Sequence, residues 1–150
     1  IPLWTGAVNN FISAFVHLFI TSLIIYATAP LAFDAKLPEK PFQYFGCLAI
    51  FIITCIAVGS LLGLFVSNVN KLTMYAQLLF LPSMMLTGMM FPADMLPDAL
   101  EKAGYLLPAT WGLKILTSAY PKLLWFLPLL LFFVGALALG VFKLSRIVKE

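Results

Sequence analysis

A row of polar side chains runs along the first long apolar stretch of the chain. Its members recur at spacings of three, four and seven residues, the period of one helix face: Asn10, Ser13, His17, Thr21 and Thr28. His17 is the only histidine, and two interpretations of it are open: a neutral imidazole hydrogen-bonded to a neighbouring helix, or a functional group. A proton relay or a metal site needs further acids or ligands, and the apolar stretches contain no Asp, Glu, Lys or Arg.

A second set of candidate residues surrounds Pro82 in the third apolar stretch. Pro82 removes a backbone donor, so we expect a kinked helix there, a natural place for a gate. One broad face of this helix carries Thr73, Gln77, Phe80, Met84, Thr87 and Gly88. The face either packs against other helices or lines a translocation route. Five of the six methionines lie in this stretch, and their flexible side chains suit a surface that accepts several apolar shapes.

The remaining patterns predict packing rather than chemistry. Gly59 and Gly63 form a small-xxx-small pattern that lets helix backbones approach closely. The same segment lacks the lysine of a phosphate-binding loop, so we expect no nucleotide hydrolysis by this chain itself. Cys47 and Cys55 are about 12 Å apart along one predicted helix and cannot form a disulfide with each other. We find no catalytic constellation and no metal-ligand cluster, and expect no cofactor bound by this chain.

The candidate residues lie in segments so apolar that we expect a membrane to surround them. Hydrophobic residues make up 63% of the chain and charged residues 10%, against about half and about a quarter in an ordinary soluble domain. No basic patch interleaved with aromatic residues indicates nucleic-acid binding. Backbone groups in lipid must pair within their own segment, so each long continuous apolar stretch predicts a spanning helix. The stretches cover 11–30, 45–67, 72–91 and 123–142.

The predicted fold is therefore all-α: a polytopic membrane helix bundle of four transmembrane helices, within one domain over 1–150. The link after the second helix and the C-terminal tail are basic, whereas the charges of the other two connections balance. By the positive-inside rule, we expect both ends of this multi-pass chain to lie in the cytoplasm. We expect the membrane to be the plasma membrane of a bacterial cell. Because the chain opens on Ile1 without a leader, we interpret it as a piece of a longer polypeptide.

The connection between the last two predicted spans is too apolar for a solvated loop. We expect it to form a short helical re-entrant or interfacial hairpin over about 94–120. Asp94 is its expected N-cap, and Pro97 suits the first turn of a helix running to about Leu107. Pro108 then begins a second short helix. Trp111 and Tyr120 are the expected anchors at the membrane interface.

The segments Leu78–Pro97 and Tyr105–Leu116 resemble the permease subunits of type-2 ABC exporters. In that family an apolar helix with a proline is followed by a Ser-Gly pair, a Phe-Pro pair, a further proline and a second proline-containing segment. This chain carries Thr87 where Ser is usual. The other motif residues stand here as Phe91, Pro92, Pro97 and Pro108.

The resemblance implies an ATP-driven exporter whose permease forms the substrate translocation path. It implies two permease halves of six helices each, identical or different, so that the four spans here are the last four of six. It also implies an ABC ATPase subunit or domain that uses the ATP. Residues 1–10 would then end a cytoplasmic coupling segment that touches the ATPase.

Two alternatives come from other functional classes. A membrane-anchored assembly or phage-receptor protein with a similar C-terminal bundle would carry a large outward domain upstream. An intramembrane enzyme would depend on His17 for its activity.

Overall fold

The computed structural model of the chain describes residues 3–90 and 95–147. Every regular element within these two ranges is helical, which confirms the all-α prediction. The elements are α1 (Leu3–Phe33), α2 (Pro41–Phe65), α3 (Val69–Leu86), α4 (Asp98–Gly104), α5 (Pro108–Thr117), a short 3-10 helix (Leu123–Trp125) and α6 (Phe126–Ile147).

Three helical segments in this part of the chain are long and apolar enough to cross a membrane. They are Thr5–Phe33, Pro41–Phe65 and Leu123–Ser145. The third predicted span, α3, is not among them. Its 18 residues make it about 27 Å long, close to the roughly 30 Å of a hydrocarbon core, but Asn70, Lys71 and Gln77 make it less apolar than the other long helices. The count of four spans thus stays a prediction.

The first two spans are longer at their shared end than predicted. The first stretch was expected over 11–30, but α1 already begins at Leu3 and continues to Phe33 through Pro30. The second was expected over 45–67, but α2 begins at Pro41, whose fixed φ suits a first helical turn. Apolarity marks only the part of a helix in hydrocarbon, whereas backbone hydrogen bonding continues beyond it. At its other end α2 stops earlier than predicted, because Val66 is extended (φ −120°).

The third helix is displaced toward the N-terminus relative to the predicted 72–91. Asn68 begins α3 by accepting hydrogen bonds from the backbone N–H groups of Asn70 and Lys71. The helix ends at Leu86, because Gly88 has a φ of 82°, the left-handed conformation that terminates helices. The predicted end at residue 91 is therefore wrong.

The connection between α3 and α6 contains two short helices, which start at other residues than predicted, and its arrangement as a re-entrant or interfacial hairpin stays a prediction. Pro97 is the residue before α4 and not part of its first turn. Asp94 lies outside the described residues, and the N-cap position predicted for it is occupied by Pro97. Asp98 and Glu101 do lie in the first turn of α4. Pro108 begins α5 as predicted.

The tightest packing joins α2, α5 and α6. Cys47, Ile115 and Leu129 form a buried cluster, with exposed fractions of 4%, 1% and 0%. Phe51 and Trp111 pack against it. Because α1 packs against α2, and α3 contacts α2, α4 and α5, the bundle is organised around α2.

The two ends of the bundle differ in charge. Cys47 lies near Leu129, and a β-carbon at Gly140 would lie 3.6 Å from Leu64 Cδ1, so α2 and α6 run in the same direction. Lys143 consequently lies at the α2–α3 link, with its Nζ 5.7 Å from the Phe65 ring centroid. We call this the basic end. The opposite end holds the α1–α2 link and the connection from α5 to α6.

Candidate functional site

The exposed part of α3 is the first component of the predicted translocation surface. Thr73, Gln77 and Phe80 are exposed, as is every residue over 73–82. Met84 is half-buried, since the last turns of α3 contact α4 and α5. The described part of the chain therefore leaves most of α3 uncovered on all sides.

The predicted α3 face is shorter than the sequence indicated. Thr87 and Gly88 follow the last residue of the helix, so they do not continue the face of Thr73 and Gln77. Pro82 lies inside α3 as predicted, and the helix runs on through it to Leu86. Beside Pro82 the helix has an additional side-chain hydrogen bond, because the Ser83 hydroxyl donates to the Leu79 carbonyl at 2.7 Å.

The polar row of α1 points away from the rest of the chain. Phe19 and Tyr26 face α2, where their ring centroids lie 5.9 and 4.9 Å from that of Phe45. A helix turns about 100° per residue, so the polar row lies on nearly the opposite face of α1. All five members of the row are exposed: Asn10, Ser13, His17, Thr21 and Thr28.

Two members of that row already have hydrogen-bond partners. The Thr21 and Thr28 hydroxyls donate to the carbonyls of His17 and Ile24, at 2.8 and 2.9 Å. Such bonds satisfy a hydroxyl within its own helix and allow it to face lipid. Among the described residues, the side chains of Asn10, Ser13 and His17, nearer the basic end, form no hydrogen bond.

His17 and the α3 face are not brought together. They lie on different helices, and α2 packs against both α1 and α3. Within residues 3–90 and 95–147 the His17 imidazole has no hydrogen-bond partner. In this part of the chain it therefore neither bonds to a neighbouring helix nor belongs to a site. The same residues contain no group of three His, Cys, Asp or Glu side chains that could hold a metal ion.

The glycines that permit close packing are different from those predicted. A β-carbon at Gly59 or Gly63 would meet nothing within 4 Å, so neither packs closely against another helix of the described ranges. A β-carbon at Gly104 would lie 2.8 Å from the Leu86 carbonyl oxygen, and one at Gly112 would overlap the ring of Phe51. A small-xxx-small pattern permits close approach without choosing the partner, so the packing role of Gly59 and Gly63 stays a prediction.

Sequence reasoning also missed a cluster where α4 meets α5. The Thr110 hydroxyl donates to the Gly104 carbonyl at 2.6 Å, and Trp111 Nε1 donates to the Tyr105 carbonyl at 2.8 Å. Lys114 Nζ lies 4.1 Å from the Tyr105 ring centroid and 5.1 Å from that of Trp111. Trp111 therefore joins two helices in addition to any role as an interfacial anchor. The sequence signal that could have predicted this cluster was the pair Thr110 and Trp111, just after the start of the second short helix.

The α4–α5 cluster places α5 beside the interior of the bundle. Phe51 lies ten residues beyond the start of α2, which is about 15 Å along the helix axis. Gly112 meets its ring at that depth. Between α5 and α6 the chain returns to the opposite end, where Lys40 Nζ lies 3.8 Å from the Tyr120 ring centroid and Gln43 Nε2 donates to the Ala119 carbonyl at 3.1 Å.

The long apolar helices are largely exposed in this chain, and a short helix packs among them. This arrangement is typical of a membrane protein. A family model described as ABC-2 type transporter matches residues 2–121. The chain belongs to this family. No curated protein and no solved structure matches the chain.

The ABC-2 family match covers α1 to α5 and confirms the resemblance seen in the sequence. Two of the four motif residues are helix boundaries: Pro97 precedes α4, and Pro108 opens α5. Phe91 and Pro92 lie outside the described residues. As an ABC-2 type membrane domain, the chain is a transmembrane component of a transport system.

Proposed function

We propose that this chain is the permease part of an ATP-driven exporter and forms one side of its substrate path. The observation that carries the proposal is the exposure of α3 over 73–82, in a chain that the family match assigns to ABC-2 type transporters. The face of Thr73, Gln77 and Phe80 combines polar and aromatic groups, as a path for amphipathic cargo requires.

Gln77 distinguishes a path from a lipid-facing surface. Its amide has no hydrogen-bond partner among the residues that the structure describes. An unpaired amide in hydrocarbon costs about 2–7 kcal/mol, so this face fits a partner or a water-containing path better than lipid tails. A second permease half, identical or different, would provide the other wall. Asn10, Ser13 and His17 on α1 would face helices that complete the same half.

ATP hydrolysis belongs, in this proposal, to a separate ABC ATPase subunit or domain. Its binding and hydrolysis of ATP would shift the bundle between inward- and outward-open states, since a ligand moves such an equilibrium by its different affinity for the two states. The basic end would face the cytoplasm of the cell, where its lysines obey the positive-inside rule. The chain itself would hold no cofactor.

The test is thiol labelling of the full-length protein in liposomes. Gln77→Cys and Leu78→Cys are compared in a background where Cys47 and Cys55 are replaced by alanine. Both positions are exposed in the chain and are adjacent on α3. We expect a charged maleimide to modify Gln77→Cys at a rate that changes with ATP and vanadate, and Leu78→Cys to stay unreactive in lipid.

Equal reactivity at the two positions, or no response to ATP, would contradict the path. A second measurement tests the class. The full-length protein should copurify with an ATPase subunit and stimulate ATP hydrolysis in liposomes, and the absence of both would exclude the exporter.

A further inference from the structure

An open cavity of about 440 Å³ lies at the basic end, beneath the α2–α3 link. We call it the link cavity. One wall is apolar and continues along the end of α2, and the other carries polar groups. Leu62, Phe65 and Val66 belong to the apolar wall, and Ser67, Lys71 and Tyr75 belong to the polar wall.

The polar wall presents hydrogen-bond donors. Lys71 contributes an ammonium group, and Tyr75 follows it by one helical turn on the same face of α3. The hydroxyls of Ser67 and Tyr75 have no partner among the described residues. Asn68 also lines the cavity, but its side-chain oxygen is used to hold the first turn of α3. The wall therefore suits a ligand rich in acceptor oxygens.

A second cation comes from another helix. Lys143 of α6 lies with its Nζ 5.7 Å from the centroid of the Phe65 ring, and Phe65 lines the cavity. The acidic residues of the described ranges lie in the α1–α2 link and in α4, and none of them lines the cavity: Asp34, Glu39, Asp98 and Glu101. Lys71 thus lines the cavity, and Lys143 lies over the ring of Phe65, one of its lining residues.

The combination of walls selects among anions. A free phosphate ion would use the donors and leave Leu62, Phe65 and Val66 in contact with water. A phospholipid would place its phosphate at the donors and an acyl chain along α2, which is itself long and apolar enough to span the membrane. Basic pockets between membrane helices near the cytoplasmic surface are suited to anionic headgroups.

We propose that the link cavity binds an anionic phospholipid, with Lys71 and Lys143 contacting its phosphate and the apolar wall contacting its acyl chain. This inference does not depend on the exporter function. It assigns to the permease a lipid site on α2, α3 and α6 that is separate from the exposed α3 face over 73–82 except for Tyr75 at its border.

The experiment is native mass spectrometry of the full-length protein with phosphatidylglycerol or phosphatidylcholine, without ATP. Lys71→Gln/Lys143→Gln is compared with Lys36→Gln/Lys102→Gln, which removes the same charge at two positions that do not line the cavity. At about 1 kcal/mol for each lysine, we expect the first pair to weaken phosphatidylglycerol binding about 30-fold and the second pair to leave it unchanged. Lys71→Arg/Lys143→Arg should retain binding. That result would show that the fold tolerates substitution at these positions.

Three results would overturn the proposal. The first is an equal loss of phosphatidylglycerol binding in both glutamine pairs, which would indicate an effect of total charge. The second is displacement of the lipid by millimolar inorganic phosphate, which would indicate a site for free phosphate. The third is unchanged lipid binding combined with lost copurification of the ATPase, which would make the basic end a protein contact.

Discussion

Gly112 of α5 lies so close to the ring of Phe51 on α2 that no β-carbon fits between them. The neighbouring side chains, Ile115 on α5 and Cys47 on α2, are almost fully buried. Gly112 is thus the position at which α5 enters the bundle, and the missing side chain sets how near the two helices lie.

Gly112→Ala should destabilise the protein. The added methyl group meets the face of a half-buried ring, and overpacking of this kind costs about 1–3 kcal/mol. We expect a lower unfolding temperature in detergent, measured by the loss of monodisperse protein after heating. Phe51→Leu should restore part of the loss in the double variant, because the smaller side chain makes room for the methyl group.

Gly59→Ala is the matched control for that substitution. It adds the same methyl group to a membrane helix, but into open space within this chain. The unfolding temperature of the isolated chain should stay within error of the parent. A decrease as large as that of Gly112→Ala would show that loss of glycine, rather than the Phe51 contact, determines the effect.

The difference between these glycines shows what the sequence could predict and what it could not. The lengths of the apolar stretches are local properties, and they correctly predicted α1, α2 and α6 as long helices. The contact between Gly112 and Phe51 joins residues that are far apart in the chain, and no local pattern contains it. Gly59 and Gly63 match a known packing pattern, but the pattern does not name a partner.

The candidate site was predictable to a similar extent. Thr73, Gln77 and Phe80 do share an exposed part of one helix, because helical periodicity fixes their relative directions. Thr87 and Gly88 were added to that face because apolarity continued past the helix end. The left-handed φ of Gly88 ends α3 first. The contact of Lys143 with the ring of Phe65, which lines the link cavity, depends on the packing of α6 on α2, and no local pattern contains it.

Thr110→Val should also destabilise the protein. The substitution keeps the shape of the side chain and removes the buried hydroxyl that donates to the Gly104 carbonyl at 2.6 Å. The Leu107 N–H still donates to the same carbonyl at 3.0 Å, so the substitution removes one hydrogen bond, which costs about 0.5–1.5 kcal/mol. The unfolding temperature in detergent should fall, and proteolysis should cleave the α4–α5 region faster.

Thr117→Val provides the comparison on the same helix. The Thr117 hydroxyl donates to the carbonyl four residues earlier and is exposed, so its removal should change the unfolding temperature little. If the two valine variants unfolded alike, the Thr110 bond would not be a major contact between α4 and α5.

Lys114→Gln tests the cation–π contacts that connect α4 and α5. The lysine lies over the rings of Tyr105 and Trp111, and such contacts contribute about 0.5–1 kcal/mol at exposed sites. We expect a small decrease in unfolding temperature and a red shift of tryptophan emission as Trp111 gains access to water. Lys114→Arg should preserve both values, whereas a loss as large as in the glutamine variant would mean that the positive charge is not what matters.

The topology prediction depends on the two ends of the bundle facing different compartments. Single cysteines at Lys71, Ser145 and Lys36 report on it, since the first two belong to the basic end and the third lies in the α1–α2 link at the opposite end. In intact cells, an impermeant maleimide should label Lys36→Cys and leave Lys71→Cys and Ser145→Cys unmodified until the membrane is permeabilised, because basic connections stay in the cytoplasm. Labelling of Lys71→Cys and Ser145→Cys from opposite sides would break the bundle as described. It would separate Lys71 from Lys143, remove the shared wall of the link cavity and require a different count of membrane crossings between α2 and α6.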